Sequence, residues 1–516
     1  MERRTFLRGA AALGGLAAAG QLRPALAAGG SSAAPAPTAT PSKPAPTPLL
    51  SVPASQAPID TVVIVMMENR SFDHYFGWLP KDEAYMEAGR SRYGGQFNVN
   101  GNNQQTYVAP NGKAHQTHYL GEHSVVNDPA RGCGHPDPGH GWDEGRAQRD
   151  HGFLAKGTGN DEFAIGYFRG KDLPVYTPLV RAFTTFDHYH ASIMSSTYPN
   201  RLYLLSAQTG GQKDPPLPIE QLGFHWPCIM DRLTAAGVSW RNYAQDIPTA
   251  AFFGTPQLPN VRPLAAFFED AAAGTLPNVS FVDPGFMSGY RTDDHPLGDH
   301  RIAQAFVGTV FSAFHASSQW RQGAMILTYD EWGGFFDHVR PPVVVDDRAS
   351  AVDEDNFGQL GFRLPVLLLS PYAQPGFVDH RLYDHTSILR FLEWRFLGAP
   401  PEGPGGTGWW LTKRDRYANN IGASLMAKPD TDVRLDPTAI VPDVSLACVG
   451  RTFQDVPGAD NVEKAVIPQP QGASLSSPFG VDGVSSMEKA AEAGYFDRLG
   501  YKVRPSLTMA ELTQPR

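Results

Sequence analysis

Two runs of uninterrupted apolar residues stand out along the chain. Thr61-Val62-Val63-Ile64-Val65-Met66-Met67 is rich in β-branched residues and shows no alternation with polar ones. A run of that length without a polar face predicts a strand buried on both sides, as in a parallel sheet. Ala324 to Tyr329 repeats the design. Both runs stop at acids, the first at Glu68-Asn69 and the second at Asp330-Glu331, with Gly333-Gly334 close behind. A shorter strand is predicted over Ala182 to Phe186. A helix-like run, Leu202 to Ala207, is entered through Thr197-Tyr198-Pro199-Asn200-Arg201, where a proline is tolerated in the first turn. The pattern predicts an α/β fold.

The chemistry gathers at the ends of these elements. In open α/β sheets ligands bind beyond the carboxyl ends of the strands. Two strands ending there in Glu68, Asp330 and Glu331 would bring three mutually repelling carboxylates together, and a divalent cation would relieve them. The alternative is that each acid caps a helix or sits in a solvated loop. Thr197 precedes a helical run, so its hydroxyl is either an N-cap or a nucleophile in the positive field of a helix N-terminus. His140 and His295 lie in loop-like segments rich in Pro, Gly and Asp, where an imidazole can serve as acid, base or phosphate donor.

Composition bounds the rest. The chain has 516 residues, with 52 Gly and 45 Pro, room for one large domain with long loops. A net charge of −9 excludes a basic nucleic-acid footprint. Three Cys exclude a disulfide scaffold and leave at most one bridge within the chain. Arg3-Arg4 followed by an Ala/Gly/Leu run and by Ala25-Leu26-Ala27 reads as an export signal over residues 1–27, of the twin-arginine kind. Residues 28–58 form an Ala/Pro/Ser/Thr tether. No other stretch reads as a transmembrane anchor. There is no phosphate-cradling glycine loop, no His-Glu-x-x-His and no Gly-x-Ser-x-Gly.

These segments resemble the bacterial phosphoesterases, a family holding non-haemolytic-type phospholipases C and related secreted acid phosphatases. The resemblance rests on Glu68-Asn69-Arg70-Ser71-Phe72-Asp73-His74-Tyr75-Phe76-Gly77, Thr197-Tyr198-Pro199-Asn200-Arg201, Asp294-His295-Pro296, Tyr329-Asp330-Glu331-Trp332-Gly333-Gly334-Phe335-Phe336-Asp337-His338-Val339, Arg363-Leu364-Pro365 and Asp384-His385-Thr386-Ser387, in that order. It implies an alkaline-phosphatase-like fold, with a central, mostly parallel sheet and helices on both faces. It implies a catalytic domain over 59–435 and a C-terminal extension over 436–516, too short for the β-modules that many of the phospholipases carry. That shortness weakens the expectation of binding to a lipid surface.

The resemblance also distributes roles. Glu68, Asp330 and Glu331 would hold one divalent metal of unspecified identity, together with Thr197, the nucleophile. Asn69, His140 and His295 would contact the phosphoryl group, with a histidine protonating the leaving oxygen. Asp294, His338 and His385 lie in the motifs with less definite roles. The implied partners are a phosphoester substrate, including phospholipid at a membrane surface, and the twin-arginine export machinery, which places the protein in the periplasm or outside the cell. The leading expectation is a metal-dependent phospholipase C acting on phosphatidylcholine-like diesters through a phosphothreonine. An acid phosphatase on the same fold and a secreted, non-catalytic metal-binding protein are the alternatives.

Overall fold

The computed structural model describes residues 47–120, 135, 137–215, 223–286, 291–296, 298–398, 409–430 and 435, all within the compact unit Pro46–Arg516. The segments read from sequence as export signal and C-terminal extension, most of the stretch read as tether, and Cys133 and Cys448 lie outside the described residues. Cys228 is a buried free thiol.

Among the described residues twelve strands are formed: β1 Thr61–Met67, β2 Thr106–Val108, β3 Ala114–Gln116, β4 His118–Tyr119, β5 Gly166–Tyr167, β6 Thr184–Phe186, β7 Trp240–Ala244, β8 Val261–Pro263, β9 Val279–Asp283, β10 Gly323–Tyr329, β11 Val366–Leu369 and β12 Val378–Asp379. Eight build the central sheet in the order β12-β6-β11-β10-β1-β9-β7-β8. β11 runs antiparallel to both its neighbours, and every other pairing in this sheet is parallel. This is the α/β architecture with a mostly parallel sheet that the apolar runs predict. β1 lies between β10 and β9, and all seven of its residues are buried, which is why it carries no polar face.

The helix His300–Ala316 shows how the sheet is covered. Ala303, Phe306, Val307, Val310, Phe311 and Phe314 recur at three- and four-residue spacing and are all buried, the stripe an amphipathic helix turns toward a core. Asp299 caps it by accepting from the Arg301 N–H. Phe311 and Phe314 meet Trp320 edge to face. No helix among the described residues is long and apolar enough to cross a membrane.

Residues 47–58, read as tether from composition, pack on the domain. Leu49 is fully buried, its N–H donates to Leu425 O at 2.8 Å, and Ala427 N–H donates to Thr47 O at 2.8 Å. One leucine with a backbone partner outweighs the flexible composition around it. Leu49→Ala is therefore expected to cost about 2–4 kcal/mol of unfolding free energy, read from urea denaturation. An unchanged midpoint would show that this segment does not pack.

Candidate active site

The parallel register sets Met67 against Tyr329, so the next residues, Glu68 and Asp330, emerge side by side at the carboxyl edge of the sheet. Asp330 N–H donates to Met67 O at 3.0 Å. Asn69 N–H donates to Asp330 Oδ1 at 3.2 Å, and Arg70 N–H donates to Glu331 O at 3.1 Å. The turns leaving the two strands are thus stitched together. Asn69 has φ 64°, a left-handed conformation that asparagine tolerates better than most side chains. Gly333, at φ 63°, lies against it, and a Cβ there would collide with the Asn69 carbonyl. A Cβ on Gly334 would collide with the Gly139 carbonyl. The two glycines let the 330–334 turn fit between the Asn69 turn and the loop carrying His140.

The helix Thr197–Ser206 is held by two residues of its first turns, Asn200 on the entering loop and Arg201 on the same sheet edge. Asn200 Nδ2 donates to Ser195 O at 2.8 Å, Ser196 O at 3.1 Å and Ile193 O at 3.2 Å. Its Oδ1 accepts from Ile193 N–H at 3.1 Å. The entering loop is thereby clamped onto the helix. Arg201 is buried and donates to Met66 O and Met67 O, each at 3.3 Å, and to Glu68 Oε1 at 3.4 Å. Its Nε stands 3.5 Å from Asp330 Oδ2. Thr197 and Arg201 are four residues apart and share a helix face, and the guanidinium on that face grips the strand ends. Ser196 is the N-cap and Thr197 the first helical residue.

The acids are crowded and under-satisfied. Asp330 Oδ2, Glu331 Oε1 and Asn69 Oδ1 are buried with no hydrogen-bond partner. Glu331 Oε2 accepts from Gly333 N–H at 2.6 Å. Burial, then Asp293 and Asp330, push the Glu68 carboxyl well above its usual range. Burial pushes Asp330 up despite Arg201. Burial and Asp330 push Glu331 up to about 8 against the pull of His140. Unpartnered buried oxygens are costly, and oxygen donors suit a hard or borderline divalent cation, but among the described residues the groups whose ligand atoms all lie within 4.8 Å of one another are Asp137-His140-His295 and Asp73-Asp337-His338, not the three acids.

His140 and His295 face this cluster from two loops, with ring centroids 6.3 Å apart. His140 Nδ1–H donates to Pro138 O at 2.7 Å, which turns Nε2 toward the Asn69 amide at 3.4 Å and Glu331 Oε1 at 4.0 Å. His295 Nδ1–H donates to Pro296 O at 2.7 Å. Asp137 stands between them, its Oδ2 3.7 Å from His140 Nδ1 and 3.6 Å from His295 Nε2. Burial opposes protonation of His140, but Glu331 and Asp137 outweigh it and raise the imidazole to about 9. Burial and Arg291 lower His295 to about 4. The two imidazoles are thus pushed in opposite directions, the kind of separation that sets acid apart from base.

The remaining motif residues lie behind or away from the cluster. Asp294, at φ 80°, turns its carboxylate onto Tyr75 and Tyr329, whose hydroxyls donate at 2.7 Å each, while Arg70 holds its carbonyl. It shapes the loop that presents His295. His385 Nε2–H donates to Asp330 O at 2.7 Å and its Nδ1 lies 3.2 Å from the Tyr189 hydroxyl, so it holds the acid-bearing turn. His338 belongs elsewhere: Nδ1 bonds Asp73 Oδ2 at 2.5 Å and Nε2 bonds Asn100 Oδ1 at 3.0 Å. Asp73, Asp337 and His338 would resemble a metal set, but Arg363 fills it, donating to both Asp337 oxygens at 2.8 and 3.0 Å and to Asp73 at 3.2 Å.

The sequence reading assigned no role to Arg201, Asp137, Arg291 or Asp293. Arg201 follows Thr197 at helical spacing and Asp137 precedes His140 by three residues, so both had a positional signal. Arg291 binds Asp293 at 2.9 Å and approaches Glu68 Oε2 at 3.7 Å, and the Asp293 carbonyl accepts from Glu68 N–H at 2.7 Å. Only adjacency to His295 marked that pair. Removing the charge in Arg201→Met should destabilise the metal-free protein by about 3 kcal/mol, with Arg201→Lys intermediate, in urea unfolding. A variant as stable as wild type would refute the role given to the guanidinium.

A profile described as the Phosphoesterase family matches residues 59–397. Non-specific phospholipase C1 of Arabidopsis thaliana is 31% identical, over 71% of this chain and 70% of that protein. Non-hemolytic phospholipase C of Burkholderia pseudomallei is 30% identical, over 67% of this chain and 57% of that protein. Among solved structures, a protein in the alkaline phosphatase superfamily from Vibrio parahaemolyticus overlaps 45% of this chain and 64% of its own, at 15% identity and a TM-score of 0.27, too slight an overlap to argue from. The profile match covers most of the chain, including Glu68, Thr197, Asp330 and both site histidines, and the chain belongs to the Phosphoesterase family.

Proposed function

We propose that the protein hydrolyses phosphodiesters of the phosphatidylcholine type, with Thr197 as nucleophile, and that it is exported. The observation that carries the proposal is that Glu68 and Asp330 leave adjacent strands side by side while Arg201 ties the helix that begins at Thr197 to both. Phosphoryl transfer demands positioning and neutralisation of charge on the equatorial oxygens, more than covalent help from the protein. The helix N-terminus, the Asn69 amide and the charged His140 supply donors for that charge. The relatives named phospholipases C support the diester over the monoester.

The steps follow from the groups present. The Thr197 hydroxyl loses its proton to solvent and attacks phosphorus, the bond to the diacylglycerol oxygen breaks, and His140 gives its proton to that departing oxygen. The product left on the protein is a phosphothreonine ester of the head group. Water gives a proton to the then-neutral His140 and attacks the same phosphorus opposite the Thr197 oxygen, which leaves, regains its proton from solvent, and so releases the phosphorylated head group. Two in-line displacements retain configuration at phosphorus. Glu68, Asp330 and Glu331, with the Thr197 oxygen, would hold the one divalent cation, which lowers the hydroxyl pKa and offsets charge on the phosphoryl group. Export through the twin-arginine route rests on Arg3-Arg4 and Ala25-Leu26-Ala27.

Thr197→Ala is expected to lower kcat on nitrophenyl phosphorylcholine by about 10³-fold or more, with KM little changed. Activity within a few-fold of wild type would defeat the nucleophile. Wild type should turn over this diester much faster than nitrophenyl phosphate, and the reverse order would make the protein a phosphomonoesterase.

A further inference from the structure

A second cluster of charge lies outside the catalytic centre and shares no residue with it. Lys81, Arg169, Lys171 and Arg181 line one open cavity of about 540 Å³ with Trp78, Tyr167 and a single carboxylate, Asp82. The volume falls in the range of small-molecule sites. Four cations converging on one concavity are conspicuous in a chain of net charge −9.

The walls of the cavity are built. The Trp78 indole N–H donates to Tyr75 O at 2.7 Å, and the ring packs on Gly170, where a Cβ would collide with it. Phe168 N–H donates to His74 O at 2.9 Å and Thr177 Oγ1 donates to Gly170 O at 2.7 Å, which ties the rim to the segment after β1. The Arg169 guanidinium lies 4.0 Å from the centre of the Tyr119 ring and the Lys171 ammonium 4.9 Å from it. Tyr119 is in turn held by Asp172, which accepts its hydroxyl at 2.9 Å. Asp82 is engaged by Arg181 at 2.5 Å, and Lys81 donates to the neutral Asn103 at 2.6 Å. Partial burial and the nearby Arg169 hold the Lys81 ammonium below the ordinary lysine range. Cations that share one cavity gain from an anion placed among them.

We propose that this cavity binds a phosphate-bearing anion, either the head group of an anionic lipid or a soluble organic phosphate, and so supplies the acidic protein with a local contact for its substrate's surroundings. The choice of phosphate among anions rests on the phosphoesterase reading; the binding of an anion does not.

The test compares full-length protein with its Lys81→Glu/Lys171→Glu variant, both carrying Thr197→Ala so that nothing is consumed. Co-sedimentation is measured with phosphatidylcholine vesicles with and without phosphatidylglycerol, and calorimetry with glycerol 3-phosphate. Charge reversal is expected to weaken binding to the anionic vesicles by at least about tenfold. Loss confined to the vesicles identifies a lipid head group, and loss extending to glycerol 3-phosphate identifies a soluble phosphate. Equal binding by both proteins in both arms overturns the proposal, whatever the fate of the Thr197 assignment. With Thr197 restored, the charge-reversed variant should hydrolyse nitrophenyl phosphorylcholine within about twofold of wild type. A collapse of that activity would also overturn the proposal, because the cavity would then belong to the catalytic centre or the fold.

Discussion

The structure turns on one buried guanidinium set between two carboxylates that adjacent parallel strands force together. The register of β1 and β10 leaves Glu68 and Asp330 no choice but to emerge side by side. Their mutual repulsion, worsened by burial, has to be answered from within the protein. Arg201 answers part of it: burial works against its charge, but Asp330 and Glu68 outweigh burial and keep it protonated. Because Arg201 sits one turn beyond Thr197, the same contact that eases the repulsion ties the start of that helix to the strand ends. On the proposed function, electrostatics and the placing of the nucleophile would be one interaction.

A second arginine-carboxylate cluster in the same molecule shows what a complete answer looks like. Arg363 meets Asp337 and Asp73 at 2.8–3.2 Å and leaves His338 engaged on both ring nitrogens. That cluster is saturated, and its work is to hold loops. Arg201, by contrast, stands 3.4–3.5 Å from its carboxylates, and Asp330 Oδ2 and Glu331 Oε1 keep no donor. The unsatisfied oxygens mark the site where a further positive charge belongs. The neighbouring histidines are split by the same logic, His140 held charged by Glu331 and Asp137, His295 held neutral by burial beside Arg291.

Much of this was legible in the sequence, for physical reasons. β1 and β10 announce themselves because strands buried on both faces need no polar alternation, and their ends are marked by acids that would be expensive anywhere else. The Pro-Asn-Arg that follows Thr197 is equally readable once seen as a helix start, a loop clamp and a strand grip. What stayed hidden depends on tertiary placement. His338 and Asp294 sit in motifs as prominent as that of Glu68, yet their ring nitrogens and carboxylate are taken up by Asp73, Asn100, Tyr75 and Tyr329. Nothing in one dimension tells a residue that faces a site from one that props its loop. Leu49 was missed because a single buried leucine is invisible within a Pro- and Ala-rich tract.

The proposed function requires one cation held by the carboxylates at the ends of β1 and β10. Calorimetric titration of the metal-stripped protein with a panel of divalent cations measures it. One tight site per chain is expected for at least one of them, with affinity falling about a hundredfold or more in Asp330→Asn and no effect in Asp337→Asn. Full affinity in Asp330→Asn, or loss of binding on altering the Arg363 cluster instead, would contradict it.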